Sequence, residues 1–277
     1  MKFREIIKDS FLFPSKNIGR FAIYLLLVVL MVSFALGGIL TYLLGIFDGQ
    51  NYLLGGIYLL ISMLIGFIVA GYHITIIKSG IERDEEVPVF KLFENFMTGF
   101  DNILVLLAYY LIPAIIVVLI GFDTKLFDYA AALCQELVLQ IINVCIMGSS
   151  LDLAVKALTP IVNNLMGSIS ITIIAGLILF AIFTLFQFIG ESRLAKTGSL
   201  KEALNILESM RDIKRIGVGR TILLLVLVLL IMAIIDTILI SVLTYYPFLL
   251  FVFMTILTPY WALVTRRALG LLYSDIT

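Results

Sequence analysis

Histidine, cysteine and tryptophan are nearly missing from this chain of 277 residues, which holds one His, two Cys and one Trp. His73 by itself cannot build an HExxH zinc site or a histidine cluster. Cys134 and Cys145 lie too far apart for paired zinc ligands and too few for a disulfide framework, so they read as apolar packing residues. Neither GxxxxGK with a following Ser or Thr nor GxGxxG is present; only a lone GxG occurs, at Gly217 and Gly219. No catalytic set, no metal site and no cofactor site is therefore expected. Charge is scarce as well. Charged residues make up 14% of the chain, and 19 basic residues cancel 19 acidic ones, which argues against a nucleic-acid partner.

What is abundant is hydrocarbon. Hydrophobic residues make up 62% of the chain and the mean hydropathy is +1.14, against roughly 45–50% apolar in soluble domains. A helix needs about 20 apolar residues to cross a bilayer. Phe21 to Phe47, Leu53 to Ile77, Ile103 to Phe122, Ser168 to Gly190, Thr221 to Thr244 and Pro247 to Thr265 meet that length, interrupted by His73, Gln187 and Asp236. The first run is longer than the 7–15 residues of a signal peptide's apolar region and reads as a retained span. The expected fold is all-α: a polytopic integral membrane helical bundle of six transmembrane helices, with eight as the alternative.

Basic residues gather on the cytoplasmic side of membrane proteins. Five precede the first span, three lie between the second and third, seven between the fourth and fifth, and two follow the sixth. Only Lys125 and Lys156 fall on the other side, against Asp48, Asp123, Asp128, Glu136 and Asp152. Both termini are expected in the cytoplasm of a cell-membrane protein.

The segment 123–167 is polar at helical spacing in both halves, through Asp128, Glu136, Gln140 and Asn143, then Ser149, Asp152, Lys156, Thr159 and Asn163. It reads as an outer-face amphipathic insertion, which lies on the membrane or re-enters it; if both halves spanned, the total would be eight. Three cytoplasmic stretches are also amphipathic: Phe3, Ile6, Ile7 and Phe11; Phe90, Phe93, Met97 and Phe100; Leu200, Ala203, Leu204 and Leu207. Ser199 followed by Glu202 is a capping signal for the third. The second span ends in Lys78, Ser79, Gly80 and the fourth in Lys196, Thr197, Gly198, while the last ends more loosely in Arg266, Arg267 and Gly270. These likenesses suggest a three-fold internal repeat within a single membrane domain, with units 1–80, 81–198 and 199–277.

Asp236 is the acidic residue inside a predicted span, and intramembrane carboxylates are costly and often functional. It is the first candidate site residue, with Gln187 as the second intramembrane polar group. Arg211, Lys214, Arg215 and Arg220 form a candidate surface for anionic lipid headgroups.

The run from Gly71 and Tyr72 through Ile77, Lys78, Val87, Pro88 and Phe90, and on to Gly99, Tyr109, Ile112 and Pro113, resembles the central signature of an uncharacterised multi-pass membrane family, a domain of unknown function common in methanogenic archaea. Ile6, Lys8, Asp9, Phe13 and Pro14 are similar to that family's start, and Arg267, Gly270, Leu271 and Tyr273 to its close. The resemblance implies an archaeal multi-pass topology over nearly the whole chain and supplies no catalytic or ligand residue. The layout is more weakly similar to the membrane domain of glycerophosphodiester phosphodiesterases, whose hydrolase half is missing from this chain.

The leading expectation is a non-enzymatic membrane module that organises lipid or an unknown protein partner. The alternative is a transporter or channel for a small solute or ion using Asp236. A membrane-embedded lipid enzyme ranks last.

Overall fold

The computed structural model describes residues 2–48 and 51–276. The chain is an all-α helical bundle with no strand among the described residues. Its helices are α1 (Phe3–Leu12), α2 (Ile18–Asp48), α3 (Tyr52–Ile81), α4 (Leu92–Asp123), α5 (Leu126–Cys145), α6 (Leu151–Thr197), α7 (Leu200–Ala203), α8 (Ile206–Ile216), α9 (Val218–Leu243) and α10 (Pro247–Tyr273). Six of them, α2, α3, α4, α6, α9 and α10, are long and apolar enough to cross a membrane. Their exposed surface is dominated by Leu, Ile, Val and Phe, as it must be where lipid tails replace water as the solvent.

Two helices run well past the lengths that the hydrophobic runs suggest. α6 has 47 residues, about 70 Å at 1.5 Å per residue, more than twice the hydrocarbon thickness of a bilayer. Pro160 and Gly167 lie inside it without breaking it, so the second half of the 123–167 segment is one helix with the fourth span rather than a separate surface element. α4 likewise absorbs the second amphipathic stretch. Phe90 stays outside any helix, stacked on Tyr72 at 4.2 Å, while Phe93, Met97 and Phe100 sit exposed on the first turns of α4. No cap or breaker separates the second amphipathic stretch from the span that follows it in α4, whereas in α6 the helix continues through Pro160 and Gly167 despite their helix-breaking tendency. The Ser199 cap acts as the sequence suggests, accepting from the Glu202 N–H at 3.4 Å; a further cap, Asn205, accepts from the Glu208 N–H at 3.2 Å and divides the third stretch into α7 and α8.

The chain forms two compact units, one of Met1–Leu106 with Phe186–Thr277 and one of Leu107–Leu185. In the smaller unit Ser168 donates to the Thr124 carbonyl at 2.6 Å and Tyr110 meets the Thr184 hydroxyl at 3.0 Å. α5 buries no residue, which leaves Cys134 and Cys145 exposed instead of packed.

The core of the larger unit is built where helices meet near the two chain ends. Ile6, Ile189, Ile213, Leu224, Val264 and Leu272 form one buried cluster, with Phe3, Ile7 and Phe11 of α1 against it. α1 is further pinned by charge. Arg267, 2% exposed, donates to Asp9 at 2.8 Å and to Ser79 at 2.9 Å, and its guanidinium lies 4.1 Å from the Phe13 ring centroid. Burial pushes the Asp9 carboxyl up, but hydrogen bonds from Lys16 and Arg267 outweigh it and hold the group below its ordinary value of 3.8. A depressed carboxyl contributes its stability in full above that ordinary value and loses it as the pH falls through the folded value. Acidification from about pH 5 to about pH 3 should therefore lower the thermal midpoint more in the wild type than in Asp9→Asn, measured side by side in one detergent. Equal pH dependence in the two would remove Asp9 as the acid-labile tie of α1.

Candidate intramembrane polar site

Asp236 lies half-buried on α9. Its Oδ1 accepts a hydrogen bond from the Trp261 indole N–H of α10 at 2.9 Å. Trp261 is 8% exposed and is held by edge contacts with Phe11 and Tyr260, whose ring centroids lie 5.7 and 5.6 Å away. Tyr260 in turn donates to the Phe11 carbonyl at 2.5 Å. The indole that reaches the carboxylate is thus flanked by two rings that are themselves linked by a hydrogen bond. The second oxygen of Asp236 has no hydrogen bond among the described residues.

Asp236 and Trp261 line a cavity of about 400 Å³ together with His73, Thr258, Thr265 and Arg266. Helices α3, α6, α9 and α10 all reach it. His73 meets the Tyr24 hydroxyl of α2 at 2.7 Å, and Thr265 donates back to the Trp261 carbonyl one turn before it at 2.9 Å. Arg266 is ion-paired with Glu191 of α6, which is fully buried and also accepts from Gln187 at 2.6 Å. The Arg266 guanidinium lies 5.7 Å from the Phe188 ring centroid. Charge at this depth is tolerated because each group has a fixed partner or a cavity to face.

A second cavity, of about 390 Å³, is apolar and runs between α2 and α10, lined by Val28, Val32, Leu36, Phe251 and Met254 among others. Thr258 lines both cavities. Residues 251, 254, 255, 258, 261, 262 and 265 follow the three- and four-residue spacing of one helix face. One face of α10 therefore serves both cavities, apolar toward its N-terminus and polar toward Arg266.

Among the described residues no group of three or more His, Cys, Asp or Glu is placed to hold a metal ion. Of the residues singled out from sequence, Asp236 lines the polar cavity, and Gln187 lies two contacts behind it, donating to Glu191, which pairs with the lining Arg266. Glu191, Trp261 and Arg266 join the site only through the tertiary structure. The spacing of Gln187 and Glu191, one turn apart at the end of a span, was the signal available for the first of them.

The surface candidates do not converge. Arg211 pairs with Glu208, Arg215 lies 3.6 Å from Asp212, and Arg220 pairs with Asp275 at 2.6 Å, leaving Lys214 exposed and without an ion pair among the described residues. Asp212 is itself held by Arg193 and by the Tyr273 hydroxyl, each at 2.7 Å. Arg211 and Arg215 therefore pair within α8, while Arg193 ties α8 to α6 and Arg220 ties α9 to the chain's C-terminal turn.

A family model described as "Protein of unknown function (DUF4013)" matches residues 54–244, more than half of the chain. The chain belongs to the DUF4013 family. No curated protein and no solved structure matches it. The DUF4013 match takes in His73, Gln187, Glu191 and Asp236, whereas Trp261 and Arg266 lie beyond its end. The stretches around Ile6 and Arg267 that resemble the family's ends also lie outside the matched range.

Proposed function

We propose that this multi-pass membrane protein is a non-enzymatic binder of an amphiphile, which takes a polar head at Asp236 and an apolar chain along the α2–α10 groove. The observation that carries this reading is the single face of α10 shared by a polar and an apolar cavity, with Thr258 lining both. Volumes of about 390 and 400 Å³ lie within the usual range of ligand sites. Arg266 is already neutralised by Glu191, whereas Asp236 has only the indole N–H, so the head that fits is one presenting a cation or a donor. Holding such a molecule is how the protein organises lipid, in a cell membrane with both termini in the cytoplasm. The orientation is supported by the segregation of basic residues described above. Exposed Lys214 adds a weak attraction for anionic headgroups, and the three repeat units would supply the similar endings of α3 and α6.

Trp261 is the only tryptophan, which makes its fluorescence a reporter of this site alone. In phosphatidylcholine vesicles doped with brominated phosphatidylethanolamine, quenching of Trp261 should saturate at a low brominated fraction in the wild type. In Asp236→Asn it should rise only in proportion to the bulk fraction. The same proportional rise in both proteins would end the amphiphile reading. Pro259 beside Thr258 supports transport of a small solute as a second reading, because proline weakens the helix next to the residue that lines both cavities. Liposome flux unchanged by Asp236→Asn would remove that residue from any transport step.

A further inference from the structure

The largest cavity described, about 520 Å³, lies away from Asp236, where the end of α3, the start of α4 and the end of α6 come together. Lys78, Lys91 and Lys196 line it against one carboxylate, Glu94. Thr75, Thr98 and Thr197 add hydroxyls. The chain leaves α6 here through Gly198, whose φ of +64° is a left-handed conformation that glycine adopts without strain.

The charge pattern sets this cavity apart from the rest of the same end of the molecule. There many cations are matched: Arg83 and Arg220 with Asp275, Arg193 with Glu202 and Asp212, Arg266 with Glu191, and Lys16 and Arg267 with Asp9. Arg4, Lys8, Arg20, Lys201 and Lys214 have no ion pair among the described residues, but none of them lines a described cavity together with a second unmatched cation. Lys91 shares Glu94 at 2.9 Å, but Lys78 and Lys196 have no ion pair among the described residues. Each of these two sits in the last turn of its helix, where a cation is favoured by the helix dipole; that accounts for one lysine per helix and not for a shared cavity. The N-terminus of α4 opens at the same place, because Lys91, Glu94 and Asn95 flank its start, and free N–H groups there favour an anion. Asn95 is 3% exposed and lines the cavity, and its Nδ2 has no hydrogen-bond partner. Thr75 has one hydroxyl proton for two acceptors, the Gly71 carbonyl and Asn95 Oδ1, each at 3.2 Å, so one end of the Asn95 amide stays unmatched whichever way it is turned.

We infer that this cavity binds a phosphate-type oxyanion, held between Lys78 and Lys196 with Lys91 as a third cation. It is independent of the amphiphile site and shares no lining residue with it. The two similar endings, Lys78-Ser79-Gly80 and Lys196-Thr197-Gly198, then have a joint role that neither helix requires alone.

Two sources carry this chemistry, a phosphomonoester lipid headgroup and free phosphate, and one experiment separates them. The full chain in phosphatidylcholine nanodiscs is titrated with inorganic phosphate, and then prepared with phosphatidic acid added to the disc, with the thermal midpoint read in each case. A saturable rise with phosphate identifies a soluble anion; a rise that needs phosphatidic acid identifies the headgroup. In either case the apparent affinity should fall at least about tenfold in the double variant Lys78→Gln/Lys196→Gln and stay unchanged in Lys214→Gln. Glu94→Gln, which frees Lys91, should tighten binding and so tests the site without a loss of function. Unchanged Trp261 emission shows that the variants are folded. Equal responses in the wild type and the double variant, or no saturable response of the wild type to either probe, overturns the inference.

Discussion

Replacing Gly71 with Ala should destabilise the protein by about 3 kcal/mol or more, and Gly99→Ala should do the same. Both glycines sit where α3 crosses α4. A Cβ on Gly71 would fall 1.7 Å from the Asn95 carbonyl oxygen, and one on Gly99 would fall 1.7 Å from the Phe67 carbonyl oxygen. The obstructing atoms are backbone, so no side chain can rotate away and the helices themselves have to separate. In a membrane, where apolar burial gives helices little reason to associate, such close approach supplies much of the packing. The separation would also break the hydrogen bond from Asn102 to the Ala70 carbonyl, 3.1 Å long at the same crossing. Unfolding of the purified variants in mixed detergent, followed by circular dichroism, measures the loss. A control, Gly56→Ala, meets no atom within 4 Å and should leave the midpoint in place. Midpoints for Gly71→Ala and Gly99→Ala within the error of the wild type would show that the crossing is looser than described.

Glu191→Ala is expected to cost about 3–5 kcal/mol, the usual consequence of leaving a buried partner charge uncompensated. Glu191 is fully enclosed, and its two oxygens are committed to Gln187 and Arg266. Without it, Arg266 retains the Phe188 ring and the polar cavity, which do not replace a carboxylate. The double variant Glu191→Ala/Arg266→Met should recover most of that loss, because the charge that made the single change costly is gone. A double variant as unstable as the single one would mean that the pair acts through packing and not through charge. The comparison also bears on Asp236. If stability returns in the double variant while the Trp261 quenching curve changes, Arg266 belongs to the ligand site as well as to the fold.

Much of the architecture could be read from local pattern. Runs such as Phe21 to Phe47 are too long and too free of charge to be anything but spans, and the Ser199 cap stands at the residue where the pattern placed it. The lengths of α4 and α6 could not be read, because hydropathy marks where a helix meets lipid and says nothing of where its hydrogen bonds end. α6 continues through Pro160 and Gly167 on backbone hydrogen bonds that no hydropathy window detects. The surface cations illustrate a related limit. Arg211, Arg215 and Arg220 look like a basic patch along the chain, yet in space each is beside a carboxylate, and the unmatched cations that share a cavity are Lys78 and Lys196 instead.

The sequence alone determined the membrane class, the six spans and the isolation of Asp236 in an apolar run, since each follows from the energy of moving single residues between water and hydrocarbon. Only the tertiary structure decided what those residues meet. Asp236 finds Trp261 25 positions away, His73 finds Tyr24 at 49, and Glu191 finds Arg266 at 75. Helical periodicity tells which side chains share one face, but the partner of that face is set by helix crossings such as Gly71 against Asn95, where backbone approach fixes the register. The same crossings bring the ends of α3, α4 and α6 together, and so turn scattered lysines into one basic cavity.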